Sequence, residues 1–389
     1  MEICGVFLSW GQKMDKAVIV VMALFMTIGA LDKAFFNGRF GYGKEFEKGL
    51  NTMGPLTLVM VGIMCAAPAL GTALGPSLAE FFLSIGSDPA LFPGLILGVD
   101  AGGLPLAQTL AKTPEAVGIF GIGLCSTLAC IMTMPLPFSL AVAQEKSRPY
   151  IAKGIVAGII ASPLSMIGVA AACRYDFLTV LRLGAPAFVV SAVLALLLTF
   201  CRDATVRFFM VLGRVMIGAF VLLLAAAALE HYFPITLIPG MAKIEPQLTI
   251  VGEIGIMLAG AYPMVFFVKR YFSKGLRWLA GRMRVDENAA LGMVVSIANP
   301  LPMYAMIDSM TNRGKVLCSA FSGPVLCMLG DHLGFMSAYY PEGIVPLIAG
   351  KSLAAVAALL IAVLLEKDVS VGIMMDRRIP SLENQRLRQ

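Results

Sequence analysis

The sequence predicts an all-α, multi-pass membrane protein, built from inverted structural repeats around two helices that Gly and Pro interrupt. Composition is the first observation behind this prediction, since 58% of the 389 residues are hydrophobic and only 14% are charged. Soluble domains average about 25% charged residues. So few charged side chains cannot cover the surface of a soluble protein of this length, which excludes a soluble enzyme, a nucleic-acid-binding protein and a disordered scaffold.

Apolar segments of membrane-spanning length are the second observation. A helix that crosses a bilayer needs about 20 mostly apolar residues, and eleven segments approach or exceed this length. Because the connections are short, the chain is expected to form a single transmembrane domain over 1–389, with a basic cytoplasmic tail at 366–389. The first segment is too long for a cleaved signal peptide and is predicted to be retained. In chain order the segments are 17–36, 54–84, 90–111, 116–143, 150–172, 184–200, 206–229, 249–272, 288–311, 316–340 and 344–365.

The distribution of Lys and Arg decides between two topologies. If all eleven segments cross, the two sides carry nearly equal numbers of basic residues, although an excess is expected on the cytoplasmic side. If 90–111 and 288–311 instead enter and leave on the same side, 22 basic residues lie on one side and 6 on the other. This bias favours re-entrant hairpins, with the N-terminus outside and the C-terminus in the cytoplasm. Discontinuous helices that span the membrane fully are the alternative.

Both of these segments contain residues that interrupt a helix. Residues 98–105 are Gly-Val-Asp-Ala-Gly-Gly-Leu-Pro, and residues 298–302 are Ala-Asn-Pro-Leu-Pro. Pro removes a backbone donor and Gly weakens a helix, so each segment is expected to unwind near its middle. Unwound backbone survives at membrane depth only where protein or a water-filled cavity surrounds it. Both interruptions are therefore expected to lie inside the protein.

A weak internal repeat is the third observation. Laying one half of the chain over the other brings Asp100 onto Asn299 and Cys130 onto Cys327. In the hairpin topology, the segment between the halves inverts the second copy relative to the first. Inverted repeats with broken helices in matching positions are typical of secondary transporters, whose binding site lies near the membrane midplane. The predicted division is a first repeat over about 17–172, a connecting span at 184–200 and a second repeat over about 206–365.

Polar side chains within the apolar stretches are the candidate site residues, because burying them in a membrane is costly. Asp100 lies at the first interruption, where it either caps the half-helix that follows or holds a cation. Asn299 at the second interruption can bind a ligand or cap its own half-helix. Asp331 and His332 follow Gly330, and His332 either relays a proton, bonds a substrate hydroxyl or is a core histidine paired with Asp331.

Further side chains are expected to support this site. Lys351 in the last segment either extends to the membrane interface or pairs with Asp331. Tyr262 and Tyr304 offer ring faces to an ammonium group, and plain packing is the alternative for each. Three residues that follow the interruptions are candidates to line a route through the protein, namely Gln108, Tyr304 and Asp308.

Metal and cofactor sites are not predicted. The eight Cys residues show no CxxC pair and lie mostly in apolar runs, so buried small side chains explain them better than disulfides or metal ligands. One His with scattered carboxylates lacks the spacing of a metal site.

Several stretches together resemble the ethanolamine permease family of ethanolamine utilisation gene clusters. Residues 330–335 (Gly-Asp-His-Leu-Gly-Phe) carry the most specific part of this resemblance, which runs from about Ala30 to Leu365. The chain departs from the family pattern at Pro300, where the family tends to have a second Asn. The other similar stretches are 100–103 (Asp-Ala-Gly-Gly), 53–56 (Met-Gly-Pro-Leu), 260–264 (Gly-Ala-Tyr-Pro-Met) and 313–316 (Arg-Gly-Lys-Val).

The resemblance implies uptake of ethanolamine across the bacterial inner membrane for catabolism, by facilitated diffusion or by proton or sodium symport. Asp100 and Asp331 would then hold the ammonium group, and Asn299 and His332 the hydroxyl group. The expected partners are ethanolamine and the lipid bilayer, without nucleic acid, and homo-oligomerisation is open. A transporter for another small amine or amino acid is the alternative, and a membrane-embedded enzyme is a distant one.

Overall fold

The computed structural model describes residues 2–233, 235–271 and 273–376, and the described residues are helical, with no strand among them. The all-α, multi-pass prediction is confirmed. The first half contains α1 (Glu2–Phe36), α2 (Tyr42–Asn51), α3 (Met53–Ser84), α4 (Leu91–Ile96), α5 (Leu104–Leu110), α6 (Pro114–Ala116), α7 (Cys130–Thr133), α8 (Pro135–Val142), α9 (Arg148–Ala161) and α10 (Leu164–Cys173). A π-helical stretch, Val117–Ala129, joins α6 to α7.

The second half of the chain is also helical, with nine α-helices among its described residues. Residues 366–376 of the predicted tail belong to the last of them, and residues 377–389 lie outside the described residues. The helices are α11 (Phe177–Phe200), α12 (Arg202–Tyr232), α13 (Ile244–Tyr271), α14 (Ser273–Met283), α15 (Glu287–Ser296), α16 (Leu301–Ala305), α17 (Asn312–Val325), α18 (Asp331–Tyr339) and α19 (Ile344–Asp376).

Seven helical stretches within the described ranges are long and apolar enough to cross a membrane. The pair α9 and α10, which bends by 41° at residues 162–163, is an eighth candidate. These eight agree with eight of the eleven predicted segments, and the other three segments are divided into shorter helices. The seven stretches are Ile19–Phe36, Tyr42–Ser84, Pro114–Leu140, Phe177–Phe200, Arg202–Tyr232, Ile244–Phe267 and Pro341–Glu366.

The first broken segment is a hairpin whose two ends are joined by one carboxylate. Asp88, which is 2% exposed, precedes α4 and accepts a hydrogen bond from the backbone N–H of Ala90 at 2.9 Å. Its other oxygen accepts from the backbone N–H of Lys112, just after α5, also at 2.9 Å. The segment therefore ends beside the point where it began, as the hairpin topology predicts.

The second broken segment is closed in the same way. Asp286 precedes α15 and accepts from the backbone N–H of Ala289 at 3.0 Å. Its second oxygen accepts from both the backbone N–H and the hydroxyl of Thr311, at 2.8 and 2.7 Å. In each hairpin one Asp therefore bonds the backbone near the start of the incoming half-helix and also the outgoing chain. Asp286 is the N-cap of α15, whereas Asp88 lies two residues before Ala90, the N-cap of α4.

The two hairpins open at opposite ends of the helical bundle. After Lys112 the chain runs through the spanning stretch Pro114–Leu140 and arrives at Gln144. The backbone N–H of Gln144 donates to both oxygens of Asp308, at 3.3 and 3.1 Å, at the end of the second hairpin. Since a full span separates Lys112 from Gln144, the second hairpin opens at the other end.

A third interruption divides the predicted span 316–340. The helix α17 ends at Val325 and α18 begins at Asp331, so residues 326–330 are unwound. Pro324 lies at the end of α17, and Cys327 has a positive φ of 52°, a conformation that ends a helix. The sequence prediction of one continuous helix here is wrong.

Each hairpin packs against the helix that follows it, α4 along the π-helical stretch and α15 along α17. The two halves of the chain meet where α9 packs on α17 and α10 packs on α19. Gly154 and Gly168 permit this close approach, because a Cβ at either position would lie within 2.6 Å of a backbone oxygen of the facing helix. The three interruptions are thereby held within one packed core.

Candidate binding site at the helix interruptions

Asp100 lies in a tight turn between α4 and α5. Gly102 makes this turn possible, since its φ is +83° and a Cβ there would lie 2.4 Å from the side chain of Ile63. The backbone N–H of Gly103 donates to the carbonyl oxygen of Gly98 at 2.9 Å and closes the turn. The Asp100 side chain keeps 20% of its surface exposed, although it lies inside the helical bundle.

Asp331 and His332 begin the half-helix α18. Cys327, four residues before Asp331, has a left-handed backbone, which is uncommon outside Gly and is found often at functional sites. The His332 backbone N–H donates to the carbonyl of Cys327 at 3.2 Å, and the Leu329 N–H donates to the carbonyl of Ile297 at 2.8 Å. This last bond ties the third interruption directly to the second.

Three side chains from separate segments meet at this place. Nε2 of His332 lies 3.7 Å from Oδ1 of Asp100 and 3.6 Å from Sγ of Cys130. The Cys130 thiol also donates to the carbonyl of Cys125 at 3.0 Å. The first interruption, the start of α7 and the start of α18 therefore share one buried point.

Two polar atoms at this point are buried without a hydrogen-bond partner. They are Oδ1 of Asp331 and Nδ1 of His332. The other Asp331 oxygen, Oδ2, lies 3.6 Å from the thiol of Cys327. Buried polar atoms are nearly always paired in folded proteins, and an unpaired one calls for an explanation. A ligand that supplies a donor to Asp331 and a polar group to His332 would provide it.

Asn299 uses part of its side chain locally. Its Oδ1 accepts from the backbone N–H of Leu301 at 2.9 Å, so it caps the half-helix α16. The ammonium group of Lys48 lies 5.3 Å from the centroid of the Tyr262 ring. The ring that the sequence suggested for a substrate cation therefore contacts a lysine of the protein itself.

Lys351 is completely buried and is satisfied by backbone oxygens. Its Nζ donates to the carbonyls of Ser126, Pro324 and Leu326 at 2.5, 3.1 and 2.9 Å. Two of these carbonyls stand at the end of α17, where a helix leaves its last carbonyls without partners. These contacts correspond neither to an interfacial position nor to a pair with Asp331, the two alternatives that the sequence left open.

Three other predicted residues lie elsewhere. Tyr304 is 1% exposed, and its hydroxyl lies 2.8 Å from the hydroxyl of Ser322 in the packed core. Asp308 binds the Gln144 backbone at the end where the second hairpin opens. Gln108 accepts from the Tyr339 hydroxyl at 2.7 Å. The structure does not bring these three to the meeting point of Asp100 and His332.

Gln108 instead lines an open cavity of about 590 Å³ at the end where the first hairpin opens. Its walls include the phenol rings of Tyr175 and Tyr340 and the carboxylate of Glu342, together with Lys112. Gln108 therefore lies at an open cavity near this end of the bundle.

Sequence reasoning missed Cys130 and Cys327. Both are buried, as the apolar context predicted, but each also contacts a candidate site residue. The alignment of Cys130 with Cys327 in the internal repeat was the signal that could have found them. The third interruption carried a similar signal in Pro324 and Gly330, which flank it.

Comparison with known proteins places the chain in one family. The family model for the ethanolamine utilisation protein EutH matches residues 14–365. A Listeria monocytogenes protein called "Probable ethanolamine permease EutH" is 34% identical over 368 residues, which are 95% of this chain and 96% of the relative. Proteins of the same name from Salmonella typhimurium and Escherichia coli are each 31% identical and cover 90% of this chain and 95% of their own. No solved structure matches the chain.

The family match extends over the three interruptions, the meeting point of Asp100 and His332 and every candidate membrane span. The chain, a multi-pass membrane protein, therefore belongs to the EutH family of ethanolamine utilisation proteins.

Proposed function

We propose that this protein carries ethanolamine across the bacterial inner membrane, so that the cell can use it. Relatives whose name is probable ethanolamine permease support this proposal, as does the presence of seven candidate spans in the described residues. A permease needs a buried polar site on a route through the membrane, and such sites are built where helices are broken.

The meeting point of Asp100 and His332 is the observation that carries the proposal. Asp100 and Asp331 bring two carboxylates into this buried region, while Lys351 brings one ammonium group. Ethanolamine carries a single positive charge at neutral pH, and its ammonium group is complementary to carboxylates in such a buried place.

The unpartnered atoms support a placement for the two ends of the substrate. The ammonium group, which has three N–H donors, bonds Asp100 and the free oxygen of Asp331. The hydroxyl group, which both donates and accepts, bonds Nδ1 of His332. We place Asn299 in the neighbouring wall, because the second interruption is bonded to the third through the Ile297 carbonyl and the Leu329 N–H. Tyr262, whose ring already contacts Lys48, is assigned a supporting role. Lys351 supports the site by bonding both the π-helical stretch and the end of α17.

The remaining predicted residues line the route or support the fold. Gln108 lines the entrance on the side of the first hairpin. Asp308 fixes the second hairpin to the loop at Gln144. Tyr304 lies in the core with its hydroxyl already bonded to Ser322, so we assign it to packing.

The orientation follows from the basic residues. We place the end where the second hairpin opens in the cytoplasm, because 22 Lys and Arg residues belong to that side and 6 to the other. The N-terminus is then outside, and the cavity beside Gln108 faces outward. Asp88 and Asp286 bond the backbone at corresponding places in the two hairpins. This correspondence supports inverted repeats over about 17–172 and 206–365.

Uptake of labelled ethanolamine into proteoliposomes tests the proposal. At micromolar ethanolamine, uptake should fall at least tenfold in the double variant Asp100→Asn, Asp331→Asn. The matched control Asp203→Asn removes an exposed carboxylate (84% exposed) and should keep wild-type uptake. Undiminished uptake in the double variant would refute this site. An imposed pH or sodium gradient that accelerates uptake identifies symport, and no effect identifies facilitated diffusion.

Transport of another small amine or amino acid is the competing function. Unlabelled ethanolamine added at increasing concentration should abolish uptake of any labelled amine that shares the site. A labelled amine that enters through the purified protein but is unaffected by excess ethanolamine would identify that amine as the substrate instead.

A further inference from the structure

We propose that Asp100, Cys130 and His332 form a binding site for a thiophilic divalent metal ion of the Zn²⁺ type, and that the bound metal blocks transport. One ligand atom from each of these side chains lies within 4.8 Å of the other two. The residues come from the first hairpin, α7 and α18, so the site exists only in the folded protein.

The donor set favours zinc over the hard cations. A thiolate, an imidazole nitrogen and a carboxylate oxygen are the three ligand types that Zn²⁺ takes in proteins, whereas Ca²⁺ and Mg²⁺ take oxygen ligands. Cys130 binds as the thiolate, and its proton is released to solvent when the metal–sulfur bond forms. This site needs no redox change.

The separation of the ligand atoms fits tetrahedral coordination. Zn–S and Zn–N bonds of about 2.3 and about 2.0–2.1 Å at a tetrahedral angle separate sulfur and nitrogen by about 3.6 Å. Sγ of Cys130 lies 3.6 Å from Nε2 of His332. The oxygen of Asp100 lies 3.7 Å from the same nitrogen, a few tenths of an ångström more than such coordination requires, and within 4.8 Å of the sulfur.

A fourth ligand position is open in this arrangement. Three protein ligands leave a zinc ion one place for water or another donor. The nearby Asp331 has an oxygen, Oδ1, that is buried without a partner, and its charge lies close to that of Asp100. The unpartnered oxygen is the second, independent sign that this point accepts a positively charged ligand.

Inhibition follows if this point is also the amine site, so the inhibitory part depends on the proposed function. A metal ion bound by Asp100 occupies the carboxylate that the ammonium group needs. Through Nε2 it also holds the ring of His332, whose other nitrogen, Nδ1, is assigned to the hydroxyl group. Cys130 distinguishes the two ligands, because its thiol contributes to metal binding and is not assigned to a group of ethanolamine. The serine variant should therefore lose far more affinity for the metal than for the amine.

The metal site is tested directly with Co²⁺ in place of Zn²⁺ on the purified full-length protein in detergent. We expect a thiolate-to-cobalt absorption band with one Co²⁺ per chain, and displacement of Co²⁺ by Zn²⁺. The variants Cys130→Ser and His332→Gln should each weaken Co²⁺ binding at least tenfold. The matched control Cys201→Ser changes an exposed cysteine outside this cluster and should keep the band.

Transport provides the second measurement. Zn²⁺ should inhibit wild-type uptake of ethanolamine, and Cys130→Ser should raise the inhibitory Zn²⁺ concentration at least tenfold, when the uptake of each protein is compared with its own uptake without Zn²⁺. A cobalt band that is missing from the wild type, or unchanged in a monodisperse Cys130→Ser protein, overturns the metal site. A normal band in a protein that transports no ethanolamine refutes the proposed function alone, because the absorption measurement does not depend on transport.

Discussion

Lys351 and the Asp331–His332 pair lie in the same buried layer of the protein but differ in their hydrogen bonds. The ammonium group of Lys351 meets three carbonyl oxygens, which match its three donors. Asp331 and His332 each retain a buried atom without a partner. Ionisable residue type alone therefore does not distinguish Lys351 from Asp331 and His332, whereas their hydrogen bonds do.

This difference in hydrogen bonding distinguishes residues that are expected to stabilise the fold from residues that are expected to bind a ligand. A fully bonded buried group lowers the free energy of the folded state, and its loss leaves partners unsatisfied. An unbonded buried group costs free energy, and only a ligand recovers that cost. Substitution of a fully bonded buried group should therefore lower the free energy of unfolding, and substitution of an unbonded buried group should lower uptake.

The largest effect is expected for Lys351→Met. Its removal leaves the carbonyls of Ser126, Pro324 and Leu326 without their donor, so we expect a loss of about 3–5 kcal/mol in the free energy of unfolding. Thermal unfolding of the purified protein in detergent measures this loss. Lys146→Met, at an exposed lysine, should unfold at the wild-type temperature. A Lys351→Met protein as stable as the wild type would contradict a stabilising role for the hydrogen bonds of Lys351.

The next effect concerns the residue that closes the first hairpin. Asp88→Ala removes the acceptor of two backbone N–H groups, from Ala90 and Lys112, and should cost about 2–3 kcal/mol. Asp286→Ala in the second hairpin should cost less, because Asp286 is more exposed to water than Asp88, which is 2% exposed. The two melting temperatures provide the comparison, and a larger loss for Asp286→Ala would contradict it.

A smaller effect is expected for Tyr304→Phe. The change removes the 2.8 Å hydrogen bond between the two hydroxyl groups of Tyr304 and Ser322 but preserves the ring, so the loss should be about 1 kcal/mol. Uptake of ethanolamine should stay at the wild-type rate, because Tyr304 is assigned to packing. A tenfold fall in uptake at unchanged stability would instead indicate that Tyr304 takes part in substrate binding.

The sequence predicted the fold and part of the candidate site for physical reasons. The length of the apolar segments predicted the membrane spans, and the Gly and Pro residues predicted the first two helix interruptions. Asp100 and His332 could be singled out because a charge or imidazole in an apolar stretch is rare. Their meeting in space agrees with that prediction.

The rest depended on tertiary contacts that leave no pattern in the sequence. Cys130 in an apolar run looks like any small buried side chain, and only the position of His332 shows its second contact. The partners of Lys351 are backbone oxygens, which every residue possesses, so a search for an acidic partner could not find them. The third interruption also arises from a left-handed Cys327, a residue type that sequence patterns do not associate with that backbone.

The smallest effect on stability, with a large effect on uptake, is expected for Asp331→Asn. The amide keeps the shape of the side chain and an oxygen for the Cys327 thiol, while the change removes a buried charge whose other oxygen has no partner. The free energy of unfolding should therefore change by less than about 1 kcal/mol. Uptake should fall at least tenfold, because the substrate ammonium loses a carboxylate. Matched melting and uptake curves on one protein preparation decide the matter: a strongly destabilised variant would make Asp331 a structural residue, as Lys351 is.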